Sequence, residues 1–256
     1  QKILDPYCIA QVTINPEARV KVDKGAAQPV LIQGGWKSFL VKVRNQAGVT
    51  AKLHVASANA LSPVHRSPLE PVVRKENNIT AGEVSSRFLE MKMYEERPLA
   101  AHLSGIQLEY AVVQIYSKEK GKKEAELSFD VGYGTQDIGF RNNVSILFDI
   151  LPAVKVVLSI TDENHQPSMA SLVITDSIMR SPGRLESFYP LPSRRVAATD
   201  EYADFFFQKQ IYRYDGEHVI LAPGKYYVTY SKGPEYLPLT KVLEVPEGVD
   251  SFKADF

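Results

Sequence analysis

The chain has 256 residues, in which 30 Lys and Arg offset 30 Asp and Glu, 44% of positions are hydrophobic and cysteine occurs once. That length supports one large or two ordinary domains with cores of their own, and the balanced charge excludes a partner that must be met by a surplus of cations, so nucleic acid is not expected. With Cys8 alone, neither an internal disulfide nor a thiolate zinc site can form, and the modest counts of 15 Gly and 16 Pro exclude collagen-like and low-complexity chains.

The chain starts at Gln1 without a basic-then-apolar leader, which fits a mature product. Short apolar runs with a two-residue period follow at 19–22, 39–44 and 53–55. The window 83–96 has the most helix-like composition, yet Leu89, Met91 and Met93 alternate as a strand does. A β-branched run at 106–116 precedes the clearest pattern in the chain. From 124 to 131, Ala125, Leu127, Phe129 and Val131 alternate with Glu124, Glu126, Ser128 and Asp130, which predicts one buried and one wet face. The charged stretch Lys118-Glu119-Lys120-Gly121-Lys122-Lys123 between these two runs reads as a hairpin loop.

A strand at 144–148 closes this block, and a boundary is expected between Asp149 and Pro152. Beyond it come strands at 154–161, 169–175, 218–221, 225–230 and 240–245, with a polar turn at 162–167 and Ala222-Pro223-Gly224 as punctuation. The expected fold is all-β: two tandem β-sandwich domains at 1–150 and 151–256, the second with a long loop at 177–203. The most apolar stretch, 145–160, is broken by Asp149, Pro152 and Lys155, so no membrane insertion is expected.

Catalytic constellations are sparse. Gly132, Gly134 and Gly139 follow a strand but lack the G-x-G-x-x-G spacing, and the next run reads as a strand, not as the helix whose amides would hold a phosphate. Ser117-Lys118-Glu119-Lys120 matches S-x-x-K by chance, without its companion motifs. The neighbours Glu95-Glu96 and Asp200-Glu201 face opposite sides of a strand and cannot flank one bond, and Asp200 with Asp204 lacks a histidine. Asp162-Glu163-Asn164 reads as an Asx turn, without the regular oxygen spacing of a calcium loop. The five histidines, His54, His65, His102, His165 and His218, show no ligand spacing. The reading is a non-enzyme with no catalytic, cofactor-binding or metal residues.

The candidate contact surface lies in the second block. Residues 177–203 lack alternation and combine arginines, prolines and aromatics, and long irregular segments in compact domains are often functional. Tyr189, Arg194 and Arg195 suit a carboxylate, a sugar or a partner surface; the alternative is an insertion that packs over the sheet, covers an edge and binds nothing. Phe205 and Phe207, flanking Phe206, together with Tyr212 and Tyr214, read as core and interface material.

Two stretches carry a resemblance. Val156 to Pro167 and then Val219 to Val228, with its Leu221-Ala222-Pro223-Gly224-Lys225-Tyr226, resemble the transthyretin-like carboxypeptidase regulatory fold. Asp204 to Gly216 with Lys232 to Leu239, and in the first block Gly35 to Val43 and Phe129 to Asp137, resemble the region that precedes the catalytic domain in CehA/McbA-type metallohydrolases of the PHP superfamily. The resemblance implies an extracellular or periplasmic accessory region whose partner is protein, either a catalytic domain or like subunits. The metal-binding module of that family, with its His-x-His pair, is absent from this sequence. The alternative is a stand-alone module that binds carbohydrate or peptide, or a self-assembling extracellular structural protein.

Overall fold

The computed structural model describes residues 2–61, 87–95, 99–100, 102–132, 141–176 and 210–256. Over these residues the protein is all-β: seventeen strands and one 3-10 turn at Asp5–Tyr7. It divides into two compact units, Gln1–Leu151 and Pro152–Phe256.

In the first unit the strands are β1 (Cys8–Ile14), β2 (Val20–Lys24), β3 (Val30–Ile32), β4 (Trp36–Asn45), β5 (His54–Ala56), β6 (Ala60–Leu61), β7 (Leu89–Met93), β8 (Leu108–Ser117), β9 (Gly121–Asp130) and β10 (Asn143–Leu151). They form a six-stranded sheet in the order β2-β1-β4-β8-β7-β6 and a four-stranded sheet in the order β3-β10-β9-β5. Period-two burial explains why the two sheets close on each other. Phe39, Val41 and Val43 of β4 and Val113 and Ile115 of β8 share one core with Ala125, Leu127 and Phe129 of β9 and Ile146, Phe148 and Ile150 of β10. In β9 the buried and wet sets are those the alternation predicts.

The second unit contains β11 (Val154–Ser159), β12 (Met169–Asp176), β13 (Ile211–Tyr214), β14 (His218–Leu221), β15 (Gly224–Ser231), β16 (Leu239–Val245) and β17 (Ser251–Asp255). A three-stranded sheet, β14-β11-β17, covers a four-stranded sheet, β13-β12-β15-β16. Its core takes Val156 and Leu158 from β11, Leu172 and Ile174 from β12, Tyr226 and Val228 from β15, and Leu243 and Val245 from β16. Among the described residues this is a sandwich-like unit of seven strands. β11, its first strand, pairs in parallel with β17, its last, from Lys155↔Ser251 to Ser159↔Asp255.

The hairpin expected around residues 118–123 is corrected by the structure. β8 lies between β4 and β7 in one sheet, and β9 lies between β10 and β5 in the other. The chain arches over the core here, because β8 already has neighbours on both sides and its inward Val113 and Ile115 face β9 across the sandwich. Ser117 tightens the arch: its hydroxyl donates to the Glu119 carbonyl at 2.8 Å and accepts from the Glu119 N–H at 3.2 Å. Gly121, at φ 99, supplies a left-handed backbone that a side chain would strain. The same construction recurs where β11 passes to β12 and β14 to β15, each time from the three-stranded to the four-stranded sheet.

Candidate functional site

Of the six residues singled out from the sequence, Tyr212 lies in the described structure; Tyr189, Arg194, Arg195, Phe205 and Phe207 lie outside the described residues, as does the whole loop 177–203. Tyr212 sits on the edge strand β13, where Ile211 and Arg213 point inward and Tyr212 and Tyr214 point outward. The two tyrosines are 49% and 50% exposed, so of the expected core and interface roles they do not fill the core one. Arg213 holds this orientation of the strand. Arg213 is only 2% exposed, and its guanidinium finds acceptors inside: Nη1 donates to the Tyr212 carbonyl at 2.8 Å, and Nε donates to the His218 carbonyl at 3.1 Å. The second bond ties β13 in one sheet to β14 in the other. A buried guanidinium is tolerable only when its donors are met in this way.

Strand register extends the surface around Tyr212. Tyr212 stands opposite Ser171, and Tyr214 opposite Met169, on β12. On the same face Val173 meets Thr229, Thr175 meets Tyr227, and these continue to Thr240 and Val242 on β16. Tyrosine, methionine, valine and hydroxyl side chains thus cover the outer face of this sheet, and its charged pair, Lys225 opposite Glu244, stands at one end. Sequence reasoning missed Met169, Tyr227 and Val242 as members of this face. The signal was available, since each shares the outward parity of its strand.

The turn after β11 is a rigid feature beside this sheet. Asp162 accepts the N–H groups of Asn164 and Gln166, both at 2.8 Å, which makes it the Asx turn that the sequence indicates. These bonds, the one from Gln166 foremost, hold the Asp162 carboxyl below its ordinary range. Lys232 pairs with Glu163 at 2.7 Å and lies over the Tyr236 ring. Asp162 Oδ1 is thus engaged by backbone N–H groups and Glu163 Oε2 by lysine.

In the first unit, the 3-10 turn lies over the outer face of the six-stranded sheet. Lys42 of β4, a buried lysine, donates to both Asp5 oxygens at 2.9 and 3.0 Å, and the Tyr110 hydroxyl of β8 donates to Oδ1 at 3.1 Å. The Lys42 hydrogen bond, helped by Tyr110, holds the Asp5 carboxyl below the usual carboxylate range. Its contribution to stability is therefore complete above the ordinary carboxylate pKa and is lost as pH falls through the lowered value. Cys8 lies beneath this turn, with Sγ 3.4 Å from the Leu4 carbonyl; burial, and then the Asp5 charge, push the thiol up. Asp5→Ala is expected to loosen the turn and speed maleimide labelling of Cys8 several-fold at pH 7, because access rises and the thiolate is less disfavoured. An unchanged labelling rate would show that Asp5 does not hold the turn closed.

Among the described residues no three His, Cys, Asp or Glu side chains gather as a metal-ligand group. His54 and His102 are exposed, His165 occupies the turn at φ 58, and His218 is buried on β14; His65 lies outside the described residues. The Ser117 hydroxyl is engaged within its own arch. A surface depression of about 330 Å³ in the first unit is lined by Arg44, Gln46, Gln107 and Leu108, a set without a nucleophile or a general base.

No known protein family and no curated protein matches the sequence. Among solved structures, the chain is similar to domains 5–6 of the S-layer protein SbsC, at 13% identity and a TM-score of 0.24, over 87% of this chain and 94% of that one. A structure of domains 1–6 of the surface layer protein SbsC aligns at 12% identity and a TM-score of 0.23, over 91% of this chain and 27% of that one. The C-terminal domain of the Streptococcus agalactiae AgI/II polypeptide BspA aligns at 8% identity and a TM-score of 0.17, over 86% and 93%. Scores of this size do not establish a shared fold; the all-β architecture rests on the strands themselves.

Proposed function

We propose that this chain is a non-catalytic structural and interaction module that works outside the cytoplasm and docks onto protein, including copies of itself. The observation that carries this reading is the outer face of the β13-β12-β15-β16 sheet, where Tyr212, Tyr214, Met169 and Val242 are exposed together on a surface that is nearly free of charge. Aromatic and methionine side chains with few charges are what the centre of a protein–protein contact requires. The extracellular or periplasmic setting, and a role in supporting a catalytic module carried elsewhere, rest on the resemblance of residues 35–43 and 204–216 to the leading region of secreted metallohydrolases.

Tyrosine rings beside serine and threonine hydroxyls also suit a sugar, so carbohydrate binding is the competing reading. Isothermal titration of the full chain against a polysaccharide panel, with a parallel screen for ester, amide and phosphodiester hydrolysis, separates them. The expected result is neither saturable binding nor turnover. Saturable binding abolished by Tyr212→Ala would replace the docking reading with a glycan-binding one, and metal-dependent turnover would overturn the non-catalytic reading.

A further inference from the structure

The four sheets have eight edge strands among the described residues, and seven of them span two to five residues: β2, β3, β5, β6, β13, β14 and β17. β16 is the exception at seven. Proteins keep open edges short, or guard them with lysine, because an unpaired row of N–H and C=O groups recruits another strand. β16 has one lysine, and it does not guard the edge. Lys241, though exposed, reaches toward β17, donates to the Asp255 carbonyl at 2.7 Å and lies over the Phe256 ring. Leu239 and Val242 remain 57% and 43% exposed. Among the described residues, nothing pairs with the side of β16 that faces away from β15.

Deepening the docking reading above and resting on it, we propose that β16 pairs antiparallel with β16 of a second copy of this chain, centred on Val242, joining two four-stranded sheets into one continuous sheet. The sequence of the edge specifies both the occupant and the register. Pro238 and Pro246 bracket the strand, and proline cannot donate to a ladder. Pairing about Val242 places each proline opposite the other, outside the ladder. It sets Thr240 opposite Glu244, where a hydroxyl can donate to a carboxylate, and Leu239 opposite Val245. The Thr240 hydroxyl already lies 2.9 Å from the Thr229 hydroxyl, which leaves it able to accept on one side and donate on the other.

Neighbouring registers are worse. A two-residue slip one way centres Lys241 on its own copy and brings Pro238 opposite Glu244. The opposite slip brings Pro246 opposite Thr240. A one-residue slip sets the core-facing side of one sheet beside the outward side of the other.

Sedimentation equilibrium of the full chain tests this, with circular dichroism confirming the fold of each variant. The wild-type chain is expected to dimerise reversibly. Val242→Lys, at an exposed position, sets two ammonium groups against each other on the two-fold axis and is expected to weaken association at least about tenfold. Val242→Glu alone is expected to do the same, and an equimolar mixture of the two is expected to restore the dimer. If Val242→Lys fails to fold, Thr240→Lys serves instead: it places an ammonium opposite Glu244 twice per dimer and is expected to tighten association. A wild-type chain that stays monomeric, a dimer indifferent to Val242→Lys, a mixture that does not pair, or Thr240→Lys without effect would each overturn the proposal. None of these outcomes touches the glycan and turnover results on which the broader reading stands.

Discussion

Phe148→Ala is expected to lower the stability of the first unit by about 3–5 kcal/mol. Phe148 is fully buried on β10, in the layer where β9 and β10 face β4 and β8. Truncating it removes the ring's transfer free energy and leaves a void that neighbours fixed in a sheet cannot collapse to fill. Domains of this kind hold a margin of about 5–15 kcal/mol in total, so one ring accounts for a large part of it. The measurement is straightforward, because the chain's single tryptophan, Trp36, belongs to the first unit, on β4, with its ring 5.5 Å from that of Tyr116 and tilted to it by 43°. Urea unfolding followed by its fluorescence should show the midpoint falling with little change in slope. A shift below about 1 kcal/mol would mean that the core repacks around the gap.

Gly25→Ala is expected to be nearly as damaging, for the opposite reason. A Cβ at residue 25 would stand 1.9 Å from the Cys8 carbonyl oxygen and 2.7 Å from the Ile9 carbonyl carbon, both of them backbone atoms of β1. Gly25 also donates its N–H to the Ile9 carbonyl at 2.9 Å, so the two backbones are locked at contact distance. Relief requires β1 to move away from the β2 end, and β1 is a central strand of its sheet. Overpacking against flexible side chains costs about 1–3 kcal/mol; against a fixed strand the loss should reach about 3 kcal/mol or more. The same fluorescence assay reads it. Gly132, by comparison, has open space around its missing Cβ, so its substitution meets backbone strain alone. A Gly25→Ala chain as stable as the parent would show that β1 yields at this point.

Strands were legible because burial leaves a two-residue signature, as Ala125, Leu127 and Phe129 show. Their partners were not. Residues 118–123 announce a solvated turn whichever way the chain leaves it, and nothing in Lys118-Glu119-Lys120 distinguishes a hairpin within one sheet from an arch to the other. That choice is made by β4 and β7, which occupy both flanks of β8 and lie far from the turn in sequence. Strand β13 shows a second limit. In Ile211-Tyr212-Arg213-Tyr214 one face carries an isoleucine and an arginine and the other two tyrosines, so alternation alone does not say which face is buried. The structure buries the face of Ile211 and Arg213, because the His218 carbonyl that accepts from Arg213 is in place only once β13 and β14 have folded. The Tyr212 surface was therefore visible as a residue type, while the face it shares with Met169, Tyr227 and Val242 required the register.

The parallel ladder between β11 and β17 has a mechanical consequence. Five consecutive residue pairs join the strand that opens the second unit to the strand that closes it, running in the same direction. Tension entering ahead of β11 and leaving beyond β17 would act along the strands and load those hydrogen bonds in shear, all at once, whereas a hairpin pulled from its open end unzips bond by bond. Under such a load the second unit would extend little until the whole ladder gives way.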